Sequence, residues 1–173
     1  MKKSSAGARW PIVALIAVVA AAAVYFFWPG EERRVRAQLG SLADSLGIPA
    51  HEADLARLAR ASRARHYFSE DVAVDFEGGF PPSVRGRESI AGLVARPWAE
   101  PSGVRIELED VRISLDESRT TADARFKARV VSLDPAKDPP TIDGRTVSLT
   151  LRRVEGTWLV SSARIMQSDD ALR

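Results

Sequence analysis

Two histidines, His51 and His66, and no cysteine occur in the 173-residue chain, which narrows the chemistry open to it. Disulfides and thiolate metal sites are excluded. Two histidines fifteen residues apart, without thiols, form no recognisable metal-ligand spacing. His66, five residues before Asp71, supplies the only pair with the elements of a general base. Beside that reading stands a plainer one, a helix-end histidine that caps carbonyls or faces water. Gly78-Gly79 lacks the strand–loop–helix setting and the lysine of a phosphate loop. Ser161-Ser162 has no histidine motif near it. The catalytic candidates are therefore His66 and Asp71 alone, no cofactor or metal site is expected, and the chain leans towards binding rather than reaction.

The strongest organising signal lies before all of these residues. Trp10 to Trp28 carries no charge, with Lys2, Lys3 and Arg9 before it and Glu31, Glu32 and Arg33 after it. A hydrocarbon core of about 30 Å needs roughly 20 apolar residues in a helix, so residues 10–28 are expected to span a membrane. Trp10, Tyr25, Phe26, Phe27 and Trp28 cluster at its ends, where a ring can be half wet. A cleaved signal peptide is the competing reading, with Ala21, Ala22 and Ala23 as its small-residue site. It would leave a mature chain beginning Val-Tyr-Phe-Phe-Trp, a poor start for a soluble protein. The cations and the absence of acids before the span favour a cytoplasmic N-terminus at residues 1–9, with the domain outside the cytoplasm.

Beyond the span, 22 basic residues face 23 acids, since three of the 25 basic residues precede it. No basic stripe with interleaved aromatics appears, so nucleic acid is not an expected partner. What remains has the length of one ordinary domain with a core of its own.

Val35, Leu39, Leu42 and Leu46 mark an amphipathic helix over Glu31–Leu46, ended by Gly47 and Pro49. A second helix fits Ala50 to about Phe68, with Leu55, Leu58 and Ala59 inward and Arg57, Arg60, Arg63 and Arg65 on a solvated side. Val72, Val74 and Phe76 alternate as a short strand ending at Gly78-Gly79. Phe80 to Ser83 reads as a loop and Ser89–Arg96 as a short helix. Val104, Ile106 and Leu108 face one way, and Val111, Ile113 and Leu115 continue on the opposite parity, so a bulge is expected at Glu109-Asp110. Ala122 to Val130, Val147 to Leu151 and Trp158 onward complete an antiparallel meander, and residues 167–173 form a polar tail. Three helices followed by strands make an α+β domain over residues 31–166.

Three stretches carry a family resemblance: Tyr-Phe-Ser-Glu-Asp-Val-Ala-Val-Asp-Phe at 67–76, Arg-Gly-Arg-Glu-Ser-Ile at 85–90 and Leu-Arg-Arg-Val-Glu-Gly-Thr-Trp-Leu-Val at 151–160. In them the chain resembles the nuclear-transport-factor-like superfamily, with its SnoaL-like and ketosteroid-isomerase-like members. The resemblance implies a cone, a strongly curved antiparallel sheet wrapped around three helices and enclosing an apolar pocket. It implies ligand contacts from Tyr67, Phe76, Phe80, Trp98 and Phe126, with Trp158 in the core. It further implies a homodimer paired through the open sheet face.

Members acting on ketones use a carboxylate base on the first strand and a tyrosine plus a protonated aspartate that hold an oxyanion. Here Phe76, or Asp75 with a one-residue shift, falls at the base position, and Thr150 or its neighbours at the acid position. No carboxylate lies between Arg145 and Val154. The expectation is a membrane-tethered, non-catalytic binding or scaffold domain in a bacterial envelope, with a small hydrophobic ligand. The alternatives are a cyclase, isomerase or dehydratase on a hydrophobic substrate, and an envelope assembly subunit working through protein contacts.

Overall fold

The structure, a computed structural model, describes residues 30–78, 82–97, 102–134, 136 and 142–167. The apolar run 10–28, Phe80, Trp98 and the tail from 168 lie outside the described residues. Among the described residues no helix is long and apolar enough to cross a membrane. Glu31–Arg173 forms one compact unit, separate from Met1–Gly30.

Helix α1 covers Glu31–Leu46, as its apolar spacing requires, and buries Val35, Leu39, Leu42 and Ala43. Glu31 and Glu32 sit in its first turn, where unpaired N–H groups favour negative charge. Glu31 also fastens the start of the domain to the sheet. Its carboxylate accepts the Trp158 indole N–H at 3.1 Å and pairs with Arg153 at 3.2 Å. Trp158 is buried as expected, and Gln38 donates to its carbonyl oxygen at 3.1 Å.

Helix α2, Asp54–Arg65, departs from the expectation in both length and orientation. It buries Arg60, Ala61 and Ala64, while Leu55 is 81% and Leu58 57% exposed. Small alanines let this helix sit close to its neighbours. Arg60 is tolerated inside because Glu52 receives it bidentately, at 2.8 and 3.0 Å, and the Val94 carbonyl takes a third bond at 3.2 Å. A buried pair of this kind costs about 3–5 kcal/mol when only one partner is removed.

Strand β1, Phe68–Phe76, begins four residues before the first alternating valine. Its register against the last strand shifts between Phe68 and Ala73, which interrupts the period-two pattern there. Strand β2 is only Ser83–Arg85, pairing with Ala73 to Asp75, where no strand is expected between the loop ending at Ser83 and the short helix. Helix α3 follows at Arg87–Val94. Strands β3 (Val104–Leu115), β4 (Thr121–Ser132), β5 (Ile142–Val154) and β6 (Thr157–Gln167) form the long meander. The sheet is six-stranded in the order β2-β1-β6-β5-β4-β3, and β1 runs parallel to β6, so it is mixed rather than wholly antiparallel.

The β3 bulge lies where the parity change required it. Register shifts between Glu109 and Arg112, and Asp110 takes a φ of 53°. The shift turns Val111, Ile113 and Leu115 back to the core side. The loop after α1 is joined to the start of β3 by two 2.8 Å bonds between Ile48 and Val104. Gly103 permits that contact: its φ is +81°, and a Cβ there would lie 2.5 Å from the Ile48 carbonyl oxygen.

Candidate functional site

Alternation along the strands gives the sheet two chemically different faces. On the helix side, α1, α3 and five strands enclose a cavity of about 310 Å³. Leu39, Phe126, Val147 and Leu149 are buried around its floor. Phe76, Leu93, Ile106, Val130 and Ile165 are half-buried and make the rim. Every described residue lining the cavity is apolar except Arg145. Arg145 falls on the inner row of β5, in phase with Val147, Leu149 and Leu151.

The aromatic candidates divide accordingly. Phe76 and Phe126 line the cavity. Tyr67 packs half-buried against the core without lining the cavity, its carbonyl oxygen accepting the Val160 N–H at 2.8 Å. Phe80 and Trp98 lie outside the described residues. The spacing of Ile90, Leu93 and Val94 put them on one side of the short helix, but the ligand-contact set left them out, as it did Arg145, the one charged residue among the described lining residues. The signal for Arg145 was present in its parity, but an arginine in a strand reads by default as solvent-facing.

His66 and Asp71 are not brought together. His66 is exposed at the C-cap of α2, and Asp71 is exposed on β1. Asp71 instead binds Arg152 at 2.8 Å. The Ser69 hydroxyl, followed by Arg152, holds the Asp71 carboxyl below the ordinary carboxylate range. Neither His66 nor Asp71 lines the cavity, so the proposed base pair has no access to a ligand there. The ketone-handling arrangement is likewise absent at the aligned positions. Phe76 lines the cavity, whereas Asp75 and Thr150 stand on the opposite face, with Thr150 donating to Asp123 at 2.8 Å. Among the described residues no group of three histidines, aspartates or glutamates is placed to hold a metal ion.

The opposite face holds a broad groove of about 740 Å³. Cross-strand register aligns one row from Ser114 through Asp123 and Thr150 to Ser162. A second runs from Arg112 through Arg125, Ser148 and Arg164 to Asp75. Arg112 lies directly opposite Arg125, a like-charge pairing that disfavours the isolated sheet.

A curved mixed sheet over three helices, with a hollow apolar inner face, is a fold that comparison can identify. The model of the SnoaL-like domain matches residues 54–164, well over half of the chain. The chain belongs to the SnoaL-like domain family. Solved structures agree on the fold of this SnoaL-like domain. An NTF2-like protein with a cystatin-like fold from Novosphingobium aromaticivorans superposes with a TM-score of 0.65 at 17% identity, covering 87% of this chain and 88% of that one. A putative scytalone dehydratase from the same organism gives 0.61 at 16% identity, covering 80% and 84%. ActVI-ORFA from Streptomyces coelicolor gives 0.62 at 16% identity, covering 80% and 98%. No curated protein matches the chain significantly. At these identities the likeness establishes fold, and the SnoaL-like site must be read from its own side chains.

Proposed function

We propose that this SnoaL-like domain binds a small hydrophobic ligand without transforming it, and that residues 10–28 tether it to a membrane with the domain on the extracytoplasmic side. The observation that carries the binding reading is the cavity wall. Its described residues offer hydrocarbon and one arginine, with no carboxylate, imidazole, hydroxyl or amide to move a proton. Pockets that are mostly apolar with few polar anchors suit small ligands. The dehydratase and isomerase alternatives need an acid or base inside, and the candidates His66, Asp71 and Asp75 are all exposed.

The tether reading rests on the length and flanks of the uncharged run. The outer groove supports a homodimer. Its second row is cationic at the β3–β4 end and carries Asp75 at the β1 end. A two-fold axis would therefore set Asp75 of one copy towards the arginines of the other.

Native mass spectrometry of the full chain, released from lipid nanodiscs, tests the ligand and the pairing. The expected spectrum is a dimer carrying an adduct that disappears on denaturation. A clean apo mass would overturn the ligand reading, and a monomer would overturn the pairing.

A further inference from the structure

We propose that the cavity takes a single-chain amphiphile with a carboxylate head, its hydrocarbon tail inside and its head on Arg145 at the rim. The inference rests on the ligand-binding reading above and names the chemical class of the ligand. Among the described residues the buried part of the wall is hydrocarbon, so a polar atom placed against it would lose its water without gaining a partner. An engineered apolar cavity of about 150 Å³ in another protein accommodates benzene. The 310 Å³ here is about twice that, room for a tail of roughly ten to twelve carbons.

The head must then lie where the wall reaches solvent, and the one charged residue among the described lining residues is positive. Arg145 is 34% exposed. Asp143 holds the guanidinium from one side, with Nε at 3.2 Å and Nη2 at 2.9 Å from the same oxygen, Oδ2. Nη1 has no hydrogen-bond partner among the described residues, so the Nη1–Nη2 edge is free. That edge is the planar two-donor fork that a carboxylate accepts in parallel. Arg145 faces Ala128 on β4 and Gln167 on β6, so no second acid stands across either strand to occupy the fork. Asp143 therefore orients the guanidinium and also competes for it.

Calorimetric titration of the full chain in zwitterionic nanodiscs, with empty discs subtracted, tests the inference. The probes are decanoate, decan-1-ol and decyltrimethylammonium at neutral pH. Decanoate is expected to bind about tenfold more tightly than decanol, as a charge-assisted pair provides. R145Q should bring decanoate to the level of decanol. D143N, which leaves the arginine and removes its competitor, should tighten decanoate further. Equal binding of decanoate and decanol, a preference that survives R145Q, or tightest binding of the trimethylammonium probe would each overturn the carboxylate assignment while leaving the binding reading intact. Binding of none of the three would overturn both.

Discussion

The two faces of one sheet, built from the same strands, have opposite chemistry. Ala124, Phe126 and Ala128 of β4 look into the core and cavity, while the adjacent Asp123 and Arg125 look into the outer groove. Period-two geometry accounts for the division, because adjacent side chains on a strand leave opposite sides. The difference assigns work to each side. Among the described residues the inner face offers hydrocarbon and one arginine, whereas the outer face has charges and no enclosure. Asp75, the carboxylate nearest the base position of a ketone-handling relative, is one residue out of phase and lies on the outer face, and Thr150 stands where that relative would need its acid.

The most forceful way to break the contrast is to move outer-face chemistry inward. Phe126→Asp would put a carboxylate in the cavity floor with no polar partner and should destabilise the domain by about 3 kcal/mol or more. The retained adduct should vanish with it; an unchanged melting curve and adduct would show that the floor lies elsewhere. Next in size is Gly103→Ala, which disturbs the closure beside the inner face. Its Cβ would meet backbone at 2.5 Å from Ile48 and 2.7 Å from Ala50, on a φ of +81°. A loss of about 2 kcal/mol is expected in denaturant unfolding.

Substitution on the outer face should behave in the opposite manner. Arg125→Glu with Arg164→Glu is expected to change stability by about 0.5 kcal/mol or less, since neither arginine has a partner among the described residues. The same double variant should convert a dimer to a monomer in sedimentation equilibrium. A dimer of undiminished strength would separate the groove from the pairing.

The smallest effect is expected with acid. The Ser118 hydroxyl, then the Thr121 backbone N–H, hold the Asp116 carboxyl below its ordinary value of 3.8 at the β3–β4 turn. A carboxyl lowered on folding contributes stability in full above its unfolded value, and loses it as pH falls through the lower folded value. Asp116→Asn should therefore narrow the difference in melting temperature between neutral solution and solution below about pH 3.8. An undiminished difference would assign the acid sensitivity to other carboxylates.

Most of the sheet was legible in the sequence because its alternation runs long. The phase change in β3 located the bulge at Glu109-Asp110, and the spacing of Val35, Leu39 and Leu42 located α1. Legibility failed where a run was short or where size mattered more than polarity. β2 has one inward side chain, Val84, which is too little for a period. In α2 the close-packed face is made of alanines and one satisfied arginine, so the leucines that mark a core elsewhere are on the outside. Phe76 and Phe126 were readable as lining residues from their strands. Arg145 was hidden by a sound prior about charged residues, and the mutual isolation of His66 and Asp71 depends on a helix end and a bulge that spacing cannot express.

Ala43, Ala128 and Ala163 also line the cavity, and each ends at its Cβ. The hollow is thus a volume left unfilled by small side chains, and none of the hydrogen bonds that hold the sheet together depends on those methyl groups. Lengthening any one of the three would shorten the space without altering a strand register. Ligand size in such a domain can accordingly drift by single substitutions, while the scaffold that carries them stays the same.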